Sequence, residues 1–273
     1  MLNRTMPADR DVHVVLLGTG TSTGVPVIAC QCKVCTSLDP RNKRLRCAAW
    51  VRTRGLSLLI DAGPDLRRQA LDADIKQVDA VLYTHHHYDH VAGIDDLRPF
   101  CFDQPDPIPA FAHADTVAAL SDLFRYVFSD ERYPSAPRLD LRATSAPFVV
   151  TSRYGEEGSL VVTPLEVFHG GTPVNGYRIG DFAYITDVNR IPDSSLGLLE
   201  GVDTLILDAL RHEPHRTHYT VAEAIEVAQA IGARRTYFTH LTHAMDHPTE
   251  DALLPDGINL GFDGLSFSVP GRP

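Results

Sequence analysis

The tightest constraint in this chain is the segment His85-His86-His87-Tyr88-Asp89-His90, which follows directly on the apolar run at residues 80–84. Such a run predicts a β-strand, and alternation along it sends His85 and His87 to one side. The turn that follows can carry Asp89 and His90 to a second point nearby. A lone histidine is more often a satisfied core or surface group. Four metal-ligating side chains in six positions, at the end of an apolar strand, do not fit that explanation. The spacing H-x-H-x-D-H therefore predicts one loop that serves two metal ions, with imidazole and carboxylate donors suited to divalent cations.

Other β-rich runs are VHVVLLG, LSLLID, LVVTPLEVF, FAYITD, TLILDAL, RTYFTH and LSFSV. LSLLID, FAYITD and RTYFTH end in Asp or His before a loop, where open sheets place functional groups. Residues 114–125 read as a helix, and so does TVAEAIEVAQAIG. In the latter, Thr220 and Glu223 form a capping box, Val221, Ile225, Ala228 and Ile231 share a face, and Gly232 ends the helix. The stretches 103–109 and 129–147 read as connections or an insertion. Residues 256–268 read as a closing strand pair with a turn at Asp263-Gly264. With no internal repeat and no low-complexity tract, residues 1–273 read as one domain.

Composition narrows the function classes. Residues 1–10 are polar, without the apolar centre or cleavage pattern of a signal peptide, and no apolar run approaches the roughly 18–20 residues of a membrane span. Of the five cysteines, Cys47 and Cys101 are scattered, which points to a reducing, cytoplasmic setting rather than a disulfide framework. A formal charge of -10 argues against a nucleic-acid partner and for a small-molecule substrate. GTGTSTG, from Gly18 to Gly24, has the spacing G-x-G-x-x-x-G and is followed by Val25-Pro26 instead of a helix. It reads as a tight turn, not a dinucleotide or P-loop signature. Cys30, Cys32 and Cys35 can gather on one loop, yet a closed zinc tetrahedron needs a fourth ligand. A redox pair is the alternative, without a thioredoxin-like context to support it.

H-x-H-x-D-H after a hydrophobic strand resembles the metallo-β-lactamase superfamily. The resemblance runs from LLGTGTSTGVPVIACQCKVC through LIDAG, LYTHHHYDHVAGI, ITD, LILDAL and THLTH to GFDGL. It implies an α/β fold, the αββα four-layer sandwich, with a dinuclear site at one edge. It implies that His169 joins His85 and His87 on the first metal, that His240 joins Asp89 and His90 on the second, and that Asp187 bridges both. By the same likeness Asp61 orients a ligand imidazole.

The C-x-C-x-x-C loop with T-H-x-x-H near the C-terminus is similar to the PhnP-like branch of cyclic-phosphate phosphodiesterases. That likeness implies a structural zinc on Cys30, Cys32, Cys35 and His243. It also implies two catalytic cations, Zn2+ or Mn2+, and a bridging water that attacks a small phosphodiester, cyclic ones included. Asp89 is then both a ligand and an orienting group for the nucleophile. His218, in Arg216-Thr217-His218, matches the branch's R-N-H histidine and becomes a proton donor or phosphate-binding group. Ala209-Leu210-Arg211-His212 departs from that branch, and His212 and His215 receive no role. His13, His86 and His113 match nothing and read as structural.

The rival classes are an RNA-processing nuclease, a thioester or lactone hydrolase, and a non-catalytic scaffold like the pyrroloquinoline-quinone biosynthesis protein B. The first calls for a basic arm that the sequence lacks. The second ordinarily lacks the cysteine loop. The third lacks the full dinuclear motif, whose seven positions are all present here. The particular diester, the preferred metal and the oligomeric state, a homodimer among the options, are not legible.

Overall fold

A computed structural model describes residues 10–129, 133–155 and 158–271. Residues 1–9, which carry most of the stretch tested for a signal peptide, and residues 130–132 of the 129–147 stretch lie outside the described residues. In the first sheet, β1 (Val12–Gly18), β2 (Ala48–Thr53), β3 (Leu56–Ile60), β4 (Ala80–Leu82), β5 (Ile108–Ala112) and β6 (Leu139–Ala143) lie side by side in chain order. The second sheet holds β7 (Phe148–Thr151), β8 (Ser159–His169), β9 (Thr172–Ile179), β10 (Phe182–Ile185), β11 (Thr204–Asp208), β12 (Arg235–Thr239) and β13 (Ile258–Leu260). The last strand, β14 (Ser266–Val269), returns to the first sheet and pairs antiparallel with β1.

Period-two alternation sorts the apolar side chains into layers. Val14 and Leu16 of β1, Leu58 and Ile60 of β3, and Phe182 and Tyr184 of β10 pack between the sheets. Leu17, Leu59, Val81 and Tyr83 pack on the outer face of the first sheet. Ala183, Ile185, Leu205 and Leu207 pack on the outer face of the second. Helices α1 (Leu66–Asp72), α2 (Tyr88–Val91), α3 (Ala114–Leu123) and α4 (Arg125–Phe128) follow strands of the first sheet. Helices α5 (Asp193–Gly197), α6 (Val221–Ile231) and α7 (His247–Asp251) belong to the second half. Three apolar layers thus separate the four layers of an αββα sandwich.

Helix α6 forms as its sequence dictates. The Thr220 hydroxyl accepts from the Glu223 N–H at 3.2 Å, and the Glu223 carboxylate accepts from the Thr220 N–H at 2.8 Å. This cap contributes about 1 kcal/mol. Gly232, at φ 72°, ends the helix in the left-handed conformation.

Three local expectations need correction. Residues 103–109 run into β5, and residues 129–147 contain β6, of which only Leu139 is fully buried. With so little apolar alternation, these edge segments carry a weak strand signal. The helix at 114–125 stops at Leu123, because Phe124 leaves helical geometry at φ −116° and ψ 48°. Residues 256–268 do not pair with each other: β13 adds to β12 and β14 adds to β1. The turn between them is held by the buried Asp263 carboxylate. Its oxygens accept from the Thr19 N–H at 2.9 Å, the Thr19 hydroxyl at 2.8 Å and the Leu45 N–H at 2.6 Å.

Candidate metal centre

The predicted donors collect at one edge of the sandwich, each beside a strand end. His85 and His87 follow β4, Asp89 and His90 lie on α2, and His169 is the last residue of β8. Asp187 lies just beyond β10, and His240 follows β12. Asp61, Asp187 and His240 leave their strands with φ of 64°, 54° and 62°. Non-glycine residues adopt this left-handed turn at a cost of order 1–3 kcal/mol, so the surrounding packing must hold it.

Two donor sets result. His85, His87, His169 and Asp187 form one, and Asp89, His90, Asp187 and His240 form the other; within each set one donor atom per residue lies within 4.8 Å of all the rest. Asp187 belongs to both. Its Oδ1 stands 3.7 Å from His85 Nε2 and 3.3 Å from His240 Nε2, and its Oδ2 stands 3.2 Å from His90 Nε2. Asp89 Oδ2 faces His90 Nε2 at 3.2 Å and His240 Nε2 at 3.7 Å.

The residues fit divalent cations. The Nε2 atoms of His85, His90 and His240 are buried and find no hydrogen-bond partner among the described residues. Each such orphan costs about 1–3 kcal/mol unless another group takes its place. Burial, reinforced by the neighbouring His90, drives His85 well below the usual imidazole range. Burial also works against charge on His90 and His240, but Asp187 outweighs it and raises both. For Asp187, burial is overcome by His240, His90 and His85, which hold the carboxyl well below its usual range. Buried carboxylates ringed by imidazoles call for positive charge at their centre, which a dication supplies.

Supporting contacts orient the donors. The buried Asp61 accepts from the Thr84 N–H at 2.8 Å, the Thr84 hydroxyl at 2.8 Å and His90 Nδ1 at 2.7 Å. A carboxylate can only accept, so Nδ1 carries a proton and Nε2 is the ring nitrogen left to face the site. His169 Nδ1 donates to the Thr217 carbonyl at 2.9 Å, which orients its Nε2 in the same way.

His218 is buried beside both donor sets, its ring stacked on His240 at 4.6 Å between centroids and its Nε2 4.0 Å from Asp187 Oδ1. Its Nδ1 is 3.0 Å from Asp208 Oδ2, and Asp208 Oδ1 is 3.7 Å from His240 Nδ1. Asp208 is the residue that sequence reasoning missed, although TLILDAL ends a strand in Asp as the ligand-bearing strands do. His212, by contrast, is exposed and turned toward Glu250 at 2.8 Å. His113 caps α3 by accepting from the Asp115 N–H, and His13 contacts Ser268, so both are structural.

The cysteines find their fourth group in His243. Sγ of Cys30, Cys32 and Cys35 lie 3.3, 3.5 and 3.6 Å from its Nδ1. All five cysteines are free thiols. The Cys35 N–H lowers Cys32 to about 6, while burial pushes Cys35 up to about 11. The cluster favours one thiolate by itself, and a bound zinc would displace the remaining protons. Buried Arg44 donates to the carbonyls of Thr242 at 3.2 Å and Met245 at 2.7 Å, fixing the turn that presents His243.

The chain belongs to the β-lactamase superfamily domain family, whose model matches residues 57–241. It is similar to a diphosphatase of the PhnP family known from a crystal structure, with a TM-score of 0.85 and 39% identity over 95% of this chain and 97% of that one. It is 39% identical over 263 residues to an octanoyltransferase of Porphyromonas gingivalis; the match covers 94% of this chain but only 52% of that protein, so the chain spans about half its length. Coenzyme PQQ synthesis protein B of Methylorubrum populi is 29% identical over 226 residues, 72% of each chain. Among the described residues, no helix is long and apolar enough to cross a membrane.

Proposed function

We propose that this chain is a dinuclear metal-dependent hydrolase that cleaves a small phosphodiester. The observation that carries the reading is Asp187, shared between two complete donor sets, with His218 turned toward the same carboxylate. The similarity to a PhnP-family diphosphatase supports a phosphorus–oxygen bond as the one broken. His85, His87, His169 and Asp187 would hold one cation, and Asp89, His90, His240 and Asp187 the second. Zn2+ and Mn2+ both suit these donors. When bound, the pair supplies positive charge to the phosphoryl oxygens and lowers the pKa of water.

The chain's own groups do the rest. Asp89 orients the attacking water and accepts its hydrogen bond. His218, with Nδ1 held by Asp208, keeps Nε2 toward the centre, where it donates a proton to the departing oxygen or grips the phosphoryl group. Asp208 fixes the orientation of the His218 ring through that contact. Cys30, Cys32, Cys35 and His243 would hold a structural zinc that ties the first loop to the C-terminal one. Residues 1–273 act as one domain in this reading, and the five free thiols suit a reducing cytoplasm. A diphosphate substrate is the second reading, favoured by the similarity to the PhnP-family diphosphatase.

The test is a screen of metal-loaded protein against bis(p-nitrophenyl) phosphate, cyclic and linear phosphodiesters, diphosphates, thioesters and lactones. Turnover of a phosphodiester is expected. Turnover of thioesters or lactones alone would reject the reading.

A further inference from the structure

Three of the turns that carry metal-centre donors begin in the same way. Thr84 precedes His85, Thr186 precedes Asp187 and Thr239 precedes His240, and all three threonines are fully buried. A hydroxyl in such a place costs about 1–3 kcal/mol if it finds no partner, so where each one turns is set by the fold. The Thr84 hydroxyl donates to Asp61 Oδ2 at 2.8 Å and stands 3.0 Å from His85 Nδ1. The Thr239 hydroxyl meets Cys47 Sγ at 3.2 Å. Of the three, only Thr186 donates to a carboxylate of the donor sets, reaching Asp187 Oδ2 at 2.9 Å. Successive side chains of a strand point to opposite faces and do not meet. The left-handed φ of 54° at Asp187 breaks that alternation and brings its carboxylate against the preceding hydroxyl.

The two oxygens of Asp187 are not equivalent. Oδ1 approaches one donor of each set, His85 Nε2 at 3.7 Å and His240 Nε2 at 3.3 Å, whereas Oδ2 stands 3.2 Å from His90 Nε2 of the second set. We infer that Thr186 is a positioning residue for the metal centre: its hydroxyl pins Oδ2 and so keeps Oδ1 as the oxygen common to both donor sets. The terminal torsion of an aspartate is broad and roughly two-fold, so without a fixed donor the carboxylate swings and its two oxygens exchange places. Thr186 differs in this from Asp61, which acts through His90 on one donor set. Thr186 acts through the shared carboxylate on both. The inference rests on the dinuclear reading and names the residue that holds the shared ligand in register.

Calorimetric titration of the metal-stripped full chain with Mn2+ reads the two donor sets apart from the cysteine cluster, because thiolates favour softer ions. Wild type should take up two ions. Thr186→Val keeps the shape and the strand preference of the side chain but removes the donor, and it should weaken both ions by about 10–100-fold, the range for loss of an outer partner of a metal ligand. Thr186→Ser keeps the hydroxyl and should stay near wild type, which a purely packing role of the threonine would not produce. Thermal melts check that each variant folds, and Thr186→Ala, which also lacks the hydroxyl, replaces Thr186→Val if that variant does not. Wild-type affinity in the hydroxyl-free variant, a loss confined to one ion, or an equal loss in Thr186→Ser overturns the inference while leaving the dinuclear reading intact. Uptake of a single Mn2+ by wild type would reject the dinuclear reading and this inference with it.

Discussion

Asp61→Asn removes a charge behind the metal centre while keeping shape, size and tolerance of the left-handed φ of 64°. The aspartate makes three acceptor contacts: Oδ1 takes the Thr84 N–H, and Oδ2 takes both the Thr84 hydroxyl and His90 Nδ1. Asparagine has one oxygen to offer. A backbone N–H cannot turn away, so the oxygen stays on the Thr84 N–H and the new amide group faces the hydroxyl and the imidazole. The hydroxyl can rotate to accept. His90 can accept at Nδ1 only by moving its proton to Nε2, the atom that faces Asp89 and Asp187. A protonated Nε2 cannot bind a cation. Loss of an orienting partner of this kind weakens metal binding by about 10–100-fold. Folding loses no more than about 1–3 kcal/mol, since one buried contact is weakened and the others persist. Calorimetric titration of the metal-stripped protein, with a thermal melt beside it, separates the two effects. Wild-type metal affinity in Asp61→Asn would show that His90 does not depend on Asp61 for its tautomer.

Further outcomes follow from the same geometry. Asp187→Ala should abolish phosphodiester hydrolysis and lower the metal content at both donor sets, measured by elemental analysis; full activity would end the dinuclear reading. His218→Ala should lower kcat by about 10²–10⁴-fold with metal content unchanged, the loss expected of a general acid. Asp208→Asn should move in the same direction, because it disturbs the Nδ1 partner of His218. Cys32→Ser should release one zinc beyond the catalytic pair and lower the melting temperature; rapid reaction of all five thiols in native wild type, with no such zinc, would refute the structural site. Leu58→Ala, between the two sheets, should cost about 2–5 kcal/mol in denaturant titration, with little change in metal content.

Residue type and spacing alone point to the His85–His90 loop of the candidate metal centre, whereas His169, Asp187 and His240 come from the family resemblance. Imidazoles at His85, His87 and His90 with Asp89 beside them have few uses, and strand alternation fixes which of them share a side. Capping chemistry likewise located α6, because a Thr220–Glu223 box and a following glycine act within a few residues. The local signal failed where the deciding contact is distant. Asp263 looked like part of a closing hairpin, but its carboxylate is occupied by Thr19 and Leu45 and sends the flanking strands to different sheets. Asp208 ends a strand like several others, and only the packing of β11 against β12 brings it beneath His218 and His240. Nothing in the sequence singles out Arg44, which the fold buries against the turn carrying His243. Ligand identity follows from side-chain chemistry, which the sequence carries residue by residue. Which carboxylate faces which imidazole depends on the register between strands far apart in the chain, and that is set only when the two sheets pack together.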